Sequence, residues 1–465
     1  MELGTGQGVG LCLLAAANPQ AEFLGVDFHP AHIAHAQDLA ETAGLTNIRF
    51  VEADFIELAA HWPADFGTFD YVALHGIYSW VPVEVRKTVV DCLAHAARPG
   101  SLVYNSYNTQ PGWLSTVPFQ HLASRLKNVA GQTSDAALGN AIELFDKLAA
   151  ADAEIFKAMP PLKMRLDSIR DKNSSYLSQE YLHESWHPMW HSEVARELER
   201  AKLSYIGTAT LIETMLPAVL GPKMQGIIQE QPHPQIRQDM QDIVINQTFR
   251  RDIFCRGRRS DTVHQNAIGT TLLHLLSAPN AEGPLSAKAS FGKLALDRPI
   301  VTAIVDALAV GPKSIDAIAA LPGVKEKGRK QVVRLLLLMI HARILVVGAV
   351  EPGSGTVAQR FNAAAACAAS QGLPYRYLAT EVLGSGATVR DIDLMMIDCW
   401  LQSSGRADVA AIAQGTAARL AALGRDVEQD GKVLKGADAA SRLATLAAIF
   451  LGRLLPEWRR LGMLA

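Results

Sequence analysis

The sequence predicts an α/β protein whose main element is a doubly wound, largely parallel sheet, with further helical regions after it. Three observations support this prediction. Short apolar segments alternate with helical segments in the first part of the chain, as in a parallel sheet connected by crossover helices. A stretch rich in glycine directly precedes the first helical segment. Two successive apolar segments end in an aspartate, which places acidic groups at the carboxyl edge of the sheet, where such folds bind ligands.

The composition is that of an ordinary globular protein. The 465 residues are 49% hydrophobic and 19% charged, and 44 Lys and Arg against 46 Asp and Glu leave a net charge of -2. This balance offers no general surface for nucleic acid or an anionic membrane. The five cysteines are far apart without a Cys-x-x-Cys pair, so the sequence predicts neither a disulfide framework nor a zinc site. We therefore expect a cytoplasmic protein.

The glycine-rich stretch is Met1–Gly10, MELGTGQGVG, in which glycine occupies four alternate positions. A turn of this kind lets backbone N–H groups approach a ligand closely, because no Cβ intrudes and positive φ angles cost little. The Gly-x-Gly-x-x-Gly spacing of dinucleotide-binding proteins fails here, because Val9 and Leu11 stand where its third glycine should be. A P-loop fails as well, because no lysine occurs before Lys87.

The other elements of the sheet follow in order. The segment from Val9 onwards, VGLCLLAAANPQA, is predicted to be a helix, because no basic residue precedes it as a secretory signal would require. Four strands are then predicted: AEFLGVDFHP with Asp27 at its end, IRFVEADF with Asp54 and Phe55 at its end, FDYVALHGIYSWV (Phe69–Val81) and GSLVYNSYNT (Gly100–Thr109). Helices are predicted at Pro30–Gly44 and Val83–Ala97.

The strand that should precede the glycine-rich stretch is missing, since only Met1 stands before Glu2. This strand lies in the middle of such a sheet, and its loss leaves neighbouring backbone groups unpaired at a cost of about 1–3 kcal/mol each. We therefore expect a truncated start that lowers the activity of this chain.

The pattern Glu-x-Gly-x-Gly-x-Gly, at Glu2, Gly4, Gly6 and Gly8, resembles the first motif of class I S-adenosylmethionine-dependent methyltransferases. The resemblance implies a Rossmann-like sheet and S-adenosylmethionine as the cofactor. It also implies that Asp27 accepts hydrogen bonds from the ribose hydroxyls and that Asp54 and Phe55 meet the adenine ring. Two further residues assigned to the cofactor on this basis are Phe28 and His75.

A narrower resemblance covers most of the chain. The stretches LHGIYSWV, YNSYNTQPGW, ESWHPMWHSEVARELERAKLSYIGTATL, NQTFRRDIFCRG, RFNAAAACAA and LGSG are similar to those of bacterial methyltransferases that carry a methyltransferase regulatory domain. That group includes protein-lysine methyltransferases that act on outer-membrane proteins. The resemblance implies methyl transfer, with a protein lysine as the acceptor.

The chain divides by pattern into five segments. They are a cofactor-binding methyltransferase core (1–115), a helical insert that caps the substrate or forms a homodimer (116–182), the closing part of the methyltransferase and regulatory domain (183–260), a winged-helix-like domain (290–350) and a C-terminal helical domain (351–465). In the third segment a helix and a strand are predicted for SEVARELERAKLSYIGTATL, and a further helix for 231–257. The Ala-rich last segment shows no catalytic pattern.

The winged-helix-like segment has a basic start to its third helix. The basic residues are Lys325, Lys327, Arg329, Lys330 and Arg334, a pattern that would suit a DNA-recognition helix. Apolar residues continue this helix and the whole chain is close to neutral, so we expect a structural or substrate-docking role without a nucleic-acid partner.

The acceptor site is expected at the ends of the fourth and fifth strands, facing the ligand crevice. Methyl transfer needs an aligned nucleophile and exclusion of water, while the cofactor supplies the reactive methyl group, so no metal is expected. His183, His187 and His191 are four residues apart, but Pro188 interrupts any helix that would align them as zinc ligands. A lysine acceptor must be neutral, which an aromatic, desolvating pocket favours. The predicted acceptor-site residues are His75, Tyr78, Trp80, Asn105, Tyr107 and Asn108.

Two other functions remain open from the sequence. One is a non-catalytic regulator, in which a cofactor-binding fold controls the winged-helix-like region. The other is a methyltransferase acting on a small molecule. The expected partner is therefore a protein or small-molecule methyl acceptor, and no membrane partner is expected.

Overall fold

A computed structural model describes residues 1–170, 174–183, 185–257, 267–280, 282–289, 291–349, 353–429 and 432–465. The strands are β1 (Glu2–Leu3), β2 (Phe23–Asp27), β3 (Ile48–Glu52), β4 (Phe69–Leu74), β5 (Ala97–Asn108), β6 (Leu203–Thr208), β7 (Phe249–Arg256), β8 (Leu272–Leu275), β9 (Ser286–Ala289), β10 (Gly292–Ala295), β11 (Lys313–Ser314), β12 (Leu345–Val347), β13 (Tyr377–Thr380), β14 (Ser385–Thr388), β15 (Val427–Gln429) and β16 (Lys432–Leu434). The main α-helices are α1 (Val9–Ala17), α2 (Pro30–Thr42), α3 (Phe55–Ala60), α4 (Val83–Ala96), α5 (Val117–Asn128), α6 (Ser134–Ala150), α7 (Glu154–Ala158), α8 (Pro160–Ile169), α9 (Ser174–Leu182), α10 (His191–Glu199), α11 (Leu216–Val219), α12 (Pro222–Glu230), α13 (Pro234–Ile245), α14 (Arg298–Ala309), α15 (Ile315–Ala319), α16 (Arg329–His341), α17 (Thr356–Ser370), α18 (Asp391–Gln402), α19 (Val409–Ala422), α20 (Gly436–Ile449) and α21 (Leu455–Arg460).

The chain forms two compact units, and each of them is discontinuous in sequence. Unit 1 contains residues 1–53, 261–285 and 296–465, and unit 2 contains residues 54–260 and 286–295. These units do not coincide with the five segments expected from the sequence. Parallel strands alternate with helices in both units, so the predicted α/β class and its Rossmann-like methyltransferase arrangement are confirmed.

Unit 1 begins with three parallel strands in the order β3-β2-β1. Gly25, at the centre of β2, lies opposite Phe50 on one side and Glu2 on the other. A Cβ at this position would lie 2.6 Å from the Phe50 ring, so only glycine lets the aromatic side chain pack over the middle strand.

The first strand, which the sequence leads us to expect to be missing, is only two residues long. Glu2 and Leu3 form the short strand β1 beside β2, and Leu3 is fully buried. The pairing also continues beyond the strand, because the N–H groups of Gly4 and Thr5 both donate to the carbonyl oxygen of Val26, at 2.7 and 3.0 Å. Two strand residues and the first turn of the glycine-rich stretch thus pair with Gly25 and Val26 of β2.

The core of unit 1 joins its two ends in sequence. Leu11 and Ala15 of α1 belong to one cluster of buried residues together with Phe361, Trp458 and Leu464 from the C-terminal part of the chain. The helices beside the first strands therefore bury their apolar faces against helices encoded far downstream.

The order of the helices and the final strand of the winged-helix-like region were predicted correctly. A sheet of order β11-β8-β12 is formed, and α14 contacts β8 while α16 contacts β12. The central strand β8 lies upstream of the expected boundary at residue 290. Its sequence, LLHL, is a short apolar run that periodicity cannot assign to a strand or a helix.

The C-terminal segment is helical as expected, but it also contains the hairpins β13–β14 and β15–β16. The helical run Gly436–Arg460 has the length and composition of a candidate membrane span, with a mean hydropathy of 1.3. Leu446, Phe450 and Trp458 from this run are buried in the core of unit 1.

Unit 2 contains a mixed sheet of order β4-β5-β7-β6. β4 and β5 are parallel, whereas β7 runs antiparallel to both β5 and β6. The helix predicted for 231–257 ends at Ile245 in α13, and the rest of that stretch is β7. Its FRRDIFCR sequence alternates buried and more exposed residues only in part, and its three arginines and one aspartate obscure the strand pattern.

The helical insert of unit 2 comprises α5 to α9, in agreement with the sequence. Its core includes Trp113, Phe119, Phe145, Leu162 and Tyr181, all less than 5% exposed. The aromatic rings of Phe119 and Tyr181 meet edge to face with their centres 5.2 Å apart. This separate core gives the insert a fixed shape of its own.

Candidate active site

The glycine-rich loop leads from β1 into α1 and contains three left-handed residues. Gly4, Gly6 and Gly8 have φ angles of 74°, 56° and 72°. Residues with a Cβ rarely adopt this conformation, so the alternate glycines are required by the backbone itself. Gly8 is the N-cap residue of α1, where the N-terminal end of the helix attracts negative charge.

Asp27 lies at the end of β2 and holds the loop. Its side chain is 6% exposed, and it accepts hydrogen bonds from the backbone N–H groups of Gly6 (2.8 Å) and His29 (3.0 Å). The next residue, Phe28, exposes 68% of its surface. An anchored carboxylate beside an exposed ring suits a nucleoside, because the carboxylate can also accept from ribose hydroxyls and the ring can cover an apolar face.

The space around the glycines of the loop fits a ligand-binding turn. A Cβ on Gly8 would lie 2.4 Å from the Cβ of Ala36, so α2 packs directly against the loop there. A Cβ on Gly6 would meet nothing within 4 Å, so the loop is open on that side. The residues of unit 1 that would hold a nucleoside cofactor are therefore Glu2, Gly4, Gly6, Gly8, Asp27 and Phe28.

Glu2 is a carboxyl group in an apolar setting. Burial raises the pKa of Glu2 to about 7, although the Thr5 hydroxyl donates a hydrogen bond to its Oε2 at 3.1 Å. A cationic ligand group placed beside Glu2 would restore its charge.

Two histidines of α2 support the loop and a third caps the helix, roles that sequence reasoning missed. His32 Nδ1 lies 3.2 Å from Asp27 Oδ1, and His35 Nδ1 lies 2.8 Å from the carbonyl oxygen of Gln7. His29 caps the helix by accepting the N–H of Ala31. The spacing of three residues between these histidines could have indicated one helix face turned towards the loop.

Unit 2 contains the remaining residues assigned to the cofactor. Asp54 is the N-cap of α3, and its Oδ1 accepts the backbone N–H of Ile56 at 2.7 Å. Phe55 is only 8% exposed, because the first turn of α3 directs it into the interior of unit 2, whereas Ile56 is 51% exposed. The contact between Phe55 and adenine stays a prediction, and Ile56 is the exposed apolar side chain next to Asp54.

His75 lies directly after β4 and stacks on Tyr104 of β5. The two ring centres are 5.9 Å apart, and His75 Nδ1 is 3.3 Å from the Tyr104 hydroxyl. Desolvation and the charge of Arg251 lower the pKa of His75, so its imidazole is neutral at neutral pH. The turn is fixed by the N–H of Gly76, which donates to Ser106 Oγ at 3.0 Å.

Tyr78 and Trp80 continue the same loop in different environments. Tyr78 is fully buried, and its hydroxyl donates to Glu197 Oε2 at 2.5 Å. This contact favours a supporting role over direct contact with an acceptor. Trp80 is half-buried and meets the ring of His183 edge to face, with the ring centres 5.8 Å apart.

The three predicted residues of β5 point to two sides of the sheet. Tyr107 and Asn105 are completely enclosed, and both side-chain amide atoms of Asn105 lack a hydrogen-bond partner among the described residues. Asn108, on the other side, places its Nδ2 3.4 Å from Glu180 Oε1 of the insert. Ser79 Oγ accepts the backbone N–H of Asn108 at 2.8 Å and so joins the ends of β4 and β5.

A buried charge network centred on Asp252 was also missed. Asp252, with no exposed surface, accepts hydrogen bonds from the Tyr107 hydroxyl (2.6 Å) and Arg250 Nε (2.9 Å) and lies 2.9 Å from His191 Nδ1. Burial opposes its ionisation, but the charge of Arg250 and the contact with His191 hold the pKa of Asp252 below its usual range. Arg250 also donates to Asp242 at 2.6 Å.

Comparison with protein families identifies the two parts of the chain that form these sites. Residues 1–100 match a methyltransferase domain model. The chain is a class I S-adenosylmethionine-dependent methyltransferase, in agreement with its glycine-rich loop and its fold. Residues 173–256 match the predicted methyltransferase regulatory domain, so the chain combines a methyltransferase domain with this second domain.

Two relatives extend the comparison. The uncharacterized protein sll1526 of Synechocystis is 29% identical over 473 residues, covering 99% of this chain and 90% of that protein. PKMT2 from Rickettsia typhi, solved in complex with AdoHcy, has a TM-score of 0.69 at 18% identity, covering 100% of this chain and 93% of that one. At this identity the likeness to PKMT2 shows the shared fold.

We expect Asp27→Ala to weaken the binding of S-adenosylmethionine by about 1.5–3 kcal/mol, because hydrogen bonds to a charged group are lost. Isothermal titration calorimetry measures this change directly. Glu41→Ala, at an exposed position of α2, is the matched control and should leave the affinity unchanged. Equal affinities of the Asp27 variant and the parent protein would rule out the ribose assignment.

Proposed function

We propose that this methyltransferase transfers the methyl group to a lysine side chain of a protein. The observation that carries the proposal is the position of α9 in unit 2. This helix brings Glu180 to Asn108 at the end of β5, and the residue after the helix, His183, contacts Trp80 in the loop that follows β4. A carboxylate together with aromatic faces attracts an ammonium group, which is the form in which a lysine first approaches.

Two comparisons support the same acceptor. The stretches around Trp80, Asn108 and His191 resemble those of bacterial protein-lysine methyltransferases, as described above. The fold of the whole chain is shared with PKMT2 from Rickettsia typhi.

S-adenosylmethionine supplies an electrophilic methyl group, and the protein has to bind and orient the acceptor. Glu180 would attract the lysine ammonium, and Trp80 would exclude water from its side chain. His75, neutral at neutral pH, adds no positive charge that would repel the lysine. The bond between Ser79 and the backbone of Asn108 keeps the two strand ends at a fixed distance.

A direct test uses two peptide libraries that differ in one residue type. The protein is incubated with methyl-labelled cofactor and either a library containing lysine or the same library with arginine at every lysine position. We expect label only in the first library, with methyl-lysine found after hydrolysis. Label restricted to small molecules would support the small-molecule alternative, and equal label in both libraries would contradict a lysine acceptor.

We expect Glu180→Gln to lower kcat/KM for the lysine library about tenfold. Glu180 is half-buried, and a contact between such a carboxylate and an ammonium group contributes about 1–1.5 kcal/mol. Glu143→Gln, in α6 of the same insert and 62% exposed, is the matched control. The affinity for S-adenosylmethionine should be the same in both variants. An unchanged kcat/KM in the Glu180 variant would remove the observation on which the acceptor site rests.

The dependence of kcat/KM on pH tests the acceptor chemistry independently. Only the neutral amine attacks, and the usual lysine pKa is about 10.4, so kcat/KM is expected to rise about tenfold per pH unit between about 7 and 9. A profile that is flat over this range would indicate an acceptor without an ionising amine.

The regulator alternative depends on the basic helix start of the winged-helix-like region. Lys327 pairs with Asp297 at 3.2 Å and Arg329 with Asp316 at 2.9 Å, both within unit 1. Two of the five cations are thus already compensated, which weakens the case for DNA. Retention of DNA fragments at physiological salt, abolished by replacing Lys325, Lys327 and Lys330 with Gln, would favour the regulator.

A further inference from the structure

Unit 1 contains a groove lined by none of the residues assigned to the cofactor or the acceptor. It has a volume of about 1080 Å³ and is lined by α18, α20 and the strands β15 and β16. Six arginines line it: Arg343, Arg376, Arg390, Arg425, Arg442 and Arg453. The whole chain has a net charge of -2, so this concentration of positive charge is local.

Two of the six arginines are held by carboxylates within the groove. Arg390 binds Asp393 through two hydrogen bonds, and Arg425 binds Asp391 at 2.7 Å. Among the residues that the structure describes, the other four arginines have no carboxylate partner within ion-pair distance. Arg442 is the most enclosed of them, and its Nε is buried without a hydrogen-bond partner in the described part of the chain.

The floor of the groove is apolar. Leu446, Trp458 and Val427 are each less than 10% exposed, while Val433 at the rim is 49% exposed. A ligand here would meet guanidinium groups along the rim and aliphatic side chains beneath. This combination suits a molecule that carries both negative charge and apolar groups.

The charge pattern of the lining favours spaced carboxylates over a continuous row of phosphates. Arginine binds both carboxylates and phosphates in a bidentate geometry, but four carboxylates lie among the arginines of the groove. These carboxylates, which include the exposed Asp426 and Glu428, would repel a phosphodiester backbone, charged at every nucleotide, more than a peptide whose acidic side chains are separated by neutral residues. Trp458 is only 7% exposed and cannot stack on nucleotide bases, as single-stranded nucleic acids require.

The size of the groove also bears on its ligand. Small-molecule sites occupy about 300–1,000 Å³. At about 1080 Å³ the groove lies at the upper end of this range, and six arginines line it. An extended chain with acidic side chains at intervals would contact several of them at once.

We propose that this groove binds an acidic, partly apolar segment of a polypeptide, and that this polypeptide is the protein whose lysine is methylated. The identification of this polypeptide with the methylated protein rests on the proposed function, whereas the binding of an acidic segment does not. The groove supplies docking affinity in addition to that of the acceptor site, and the guanidinium groups of Arg376, Arg442 and Arg453 bind the acidic side chains.

Fluorescence anisotropy tests the docking step without methyl transfer. The probe is a labelled peptide of about twelve Glu, Leu and Ser residues, which spans roughly 40 Å when extended and contains no lysine. We expect it to bind the full chain, and to bind about tenfold more weakly when Arg376, Arg442 and Arg453 are all replaced by Gln. A peptide with Gln in place of every Glu should show the same weakening with the parent protein.

The matched control removes the same charge elsewhere in unit 1. Lys313, Arg360 and Arg406, none of which lines the groove, are replaced by Gln, and this variant should bind the peptide like the parent protein. Replacing the three groove arginines by lysine should restore only part of the affinity, because lysine cannot form the two-pronged contact. Circular dichroism melting identifies any variant that is misfolded, and for such a variant the three single substitutions are measured instead.

Two results would overturn the proposal. One is an unchanged peptide affinity in the groove variant. The other is tighter binding of a single-stranded DNA oligomer, or of phosphatidylglycerol vesicles, that the groove substitutions abolish, since this would show that the site is built for phosphate. The proposed lysine acceptor and the proposed groove can fail separately. If only the lysine acceptor is wrong, the lysine-free peptide still binds in the groove while the lysine library stays unlabelled.

Discussion

Replacing Asp252 by Ala is expected to lower the free energy of unfolding by about 3–5 kcal/mol, the range found when one partner of a buried ion pair is removed. Asp252 is fully enclosed and is the common partner of Tyr107, His191 and Arg250. Without it, the Arg250 guanidinium keeps only Asp242 as a charged partner in this interior. Urea denaturation followed by circular dichroism gives the difference.

Two control variants separate the effect of removing the buried charge from two other effects. These are the cavity left by the side chain and the loss of an ordinary surface ion pair. Asp252→Asn keeps the shape and part of the hydrogen bonding, so it should destabilise less than Asp252→Ala. Asp91→Ala removes the partner of Arg200 in an ion pair whose side chains are about half exposed, and should cost less than about 1 kcal/mol. A loss below this value for Asp252→Ala would mean that the buried network contributes no more than a surface pair.

Gly8→Ala is expected to abolish measurable binding of S-adenosylmethionine and to destabilise unit 1 by about 1–3 kcal/mol. The new Cβ would lie 2.4 Å from the Cβ of Ala36 and 3.0 Å from the Phe50 ring, and the φ angle of 72° is strained for alanine. Both effects push the loop away from α2, and the backbone N–H groups that face the cofactor move with it.

Gly10→Ala is the matched control, two residues further along the same segment. Gly10 lies inside α1, and a Cβ there would meet nothing within 4 Å. Alanine is the better helix former by about 1 kcal/mol, so this variant should be at least as stable as the parent and should bind the cofactor normally. Equal behaviour of the two alanine variants in calorimetry and thermal melting would contradict the described loop.

The cofactor loop could be predicted from the sequence because its chemistry is local. Gly4, Gly6 and Gly8 need left-handed backbone, and Asp27 follows them at the end of the next strand. The burial of Phe55 could not be predicted, because the side to which the first turn of α3 turns its side chains depends on tertiary packing.

The network around Asp252 was beyond sequence reasoning for a different reason. Asp252 and His191 are about sixty residues apart, and they meet because β7 lies between β5 and β6 in antiparallel pairing. Taken alone, each of these two residues suggests a polar side chain at the surface or a metal ligand. The arginine groove could not be predicted for the same reason, because its arginines come from several helices and hairpins whose packing no local sequence pattern encodes.

The buried cluster that joins α1 to the last residues has a consequence for how this protein is made. Leu11 and Ala15 are made several hundred residues before Phe361, Trp458 and Leu464, which share their cluster. At roughly 5–20 residues per second, this interval lasts tens of seconds, during which α1 lacks these later partners for its apolar surface. The core of unit 1 can therefore close only after Leu464 has left the ribosome, and chaperones that bind apolar nascent segments should associate with ribosomes translating this chain until then.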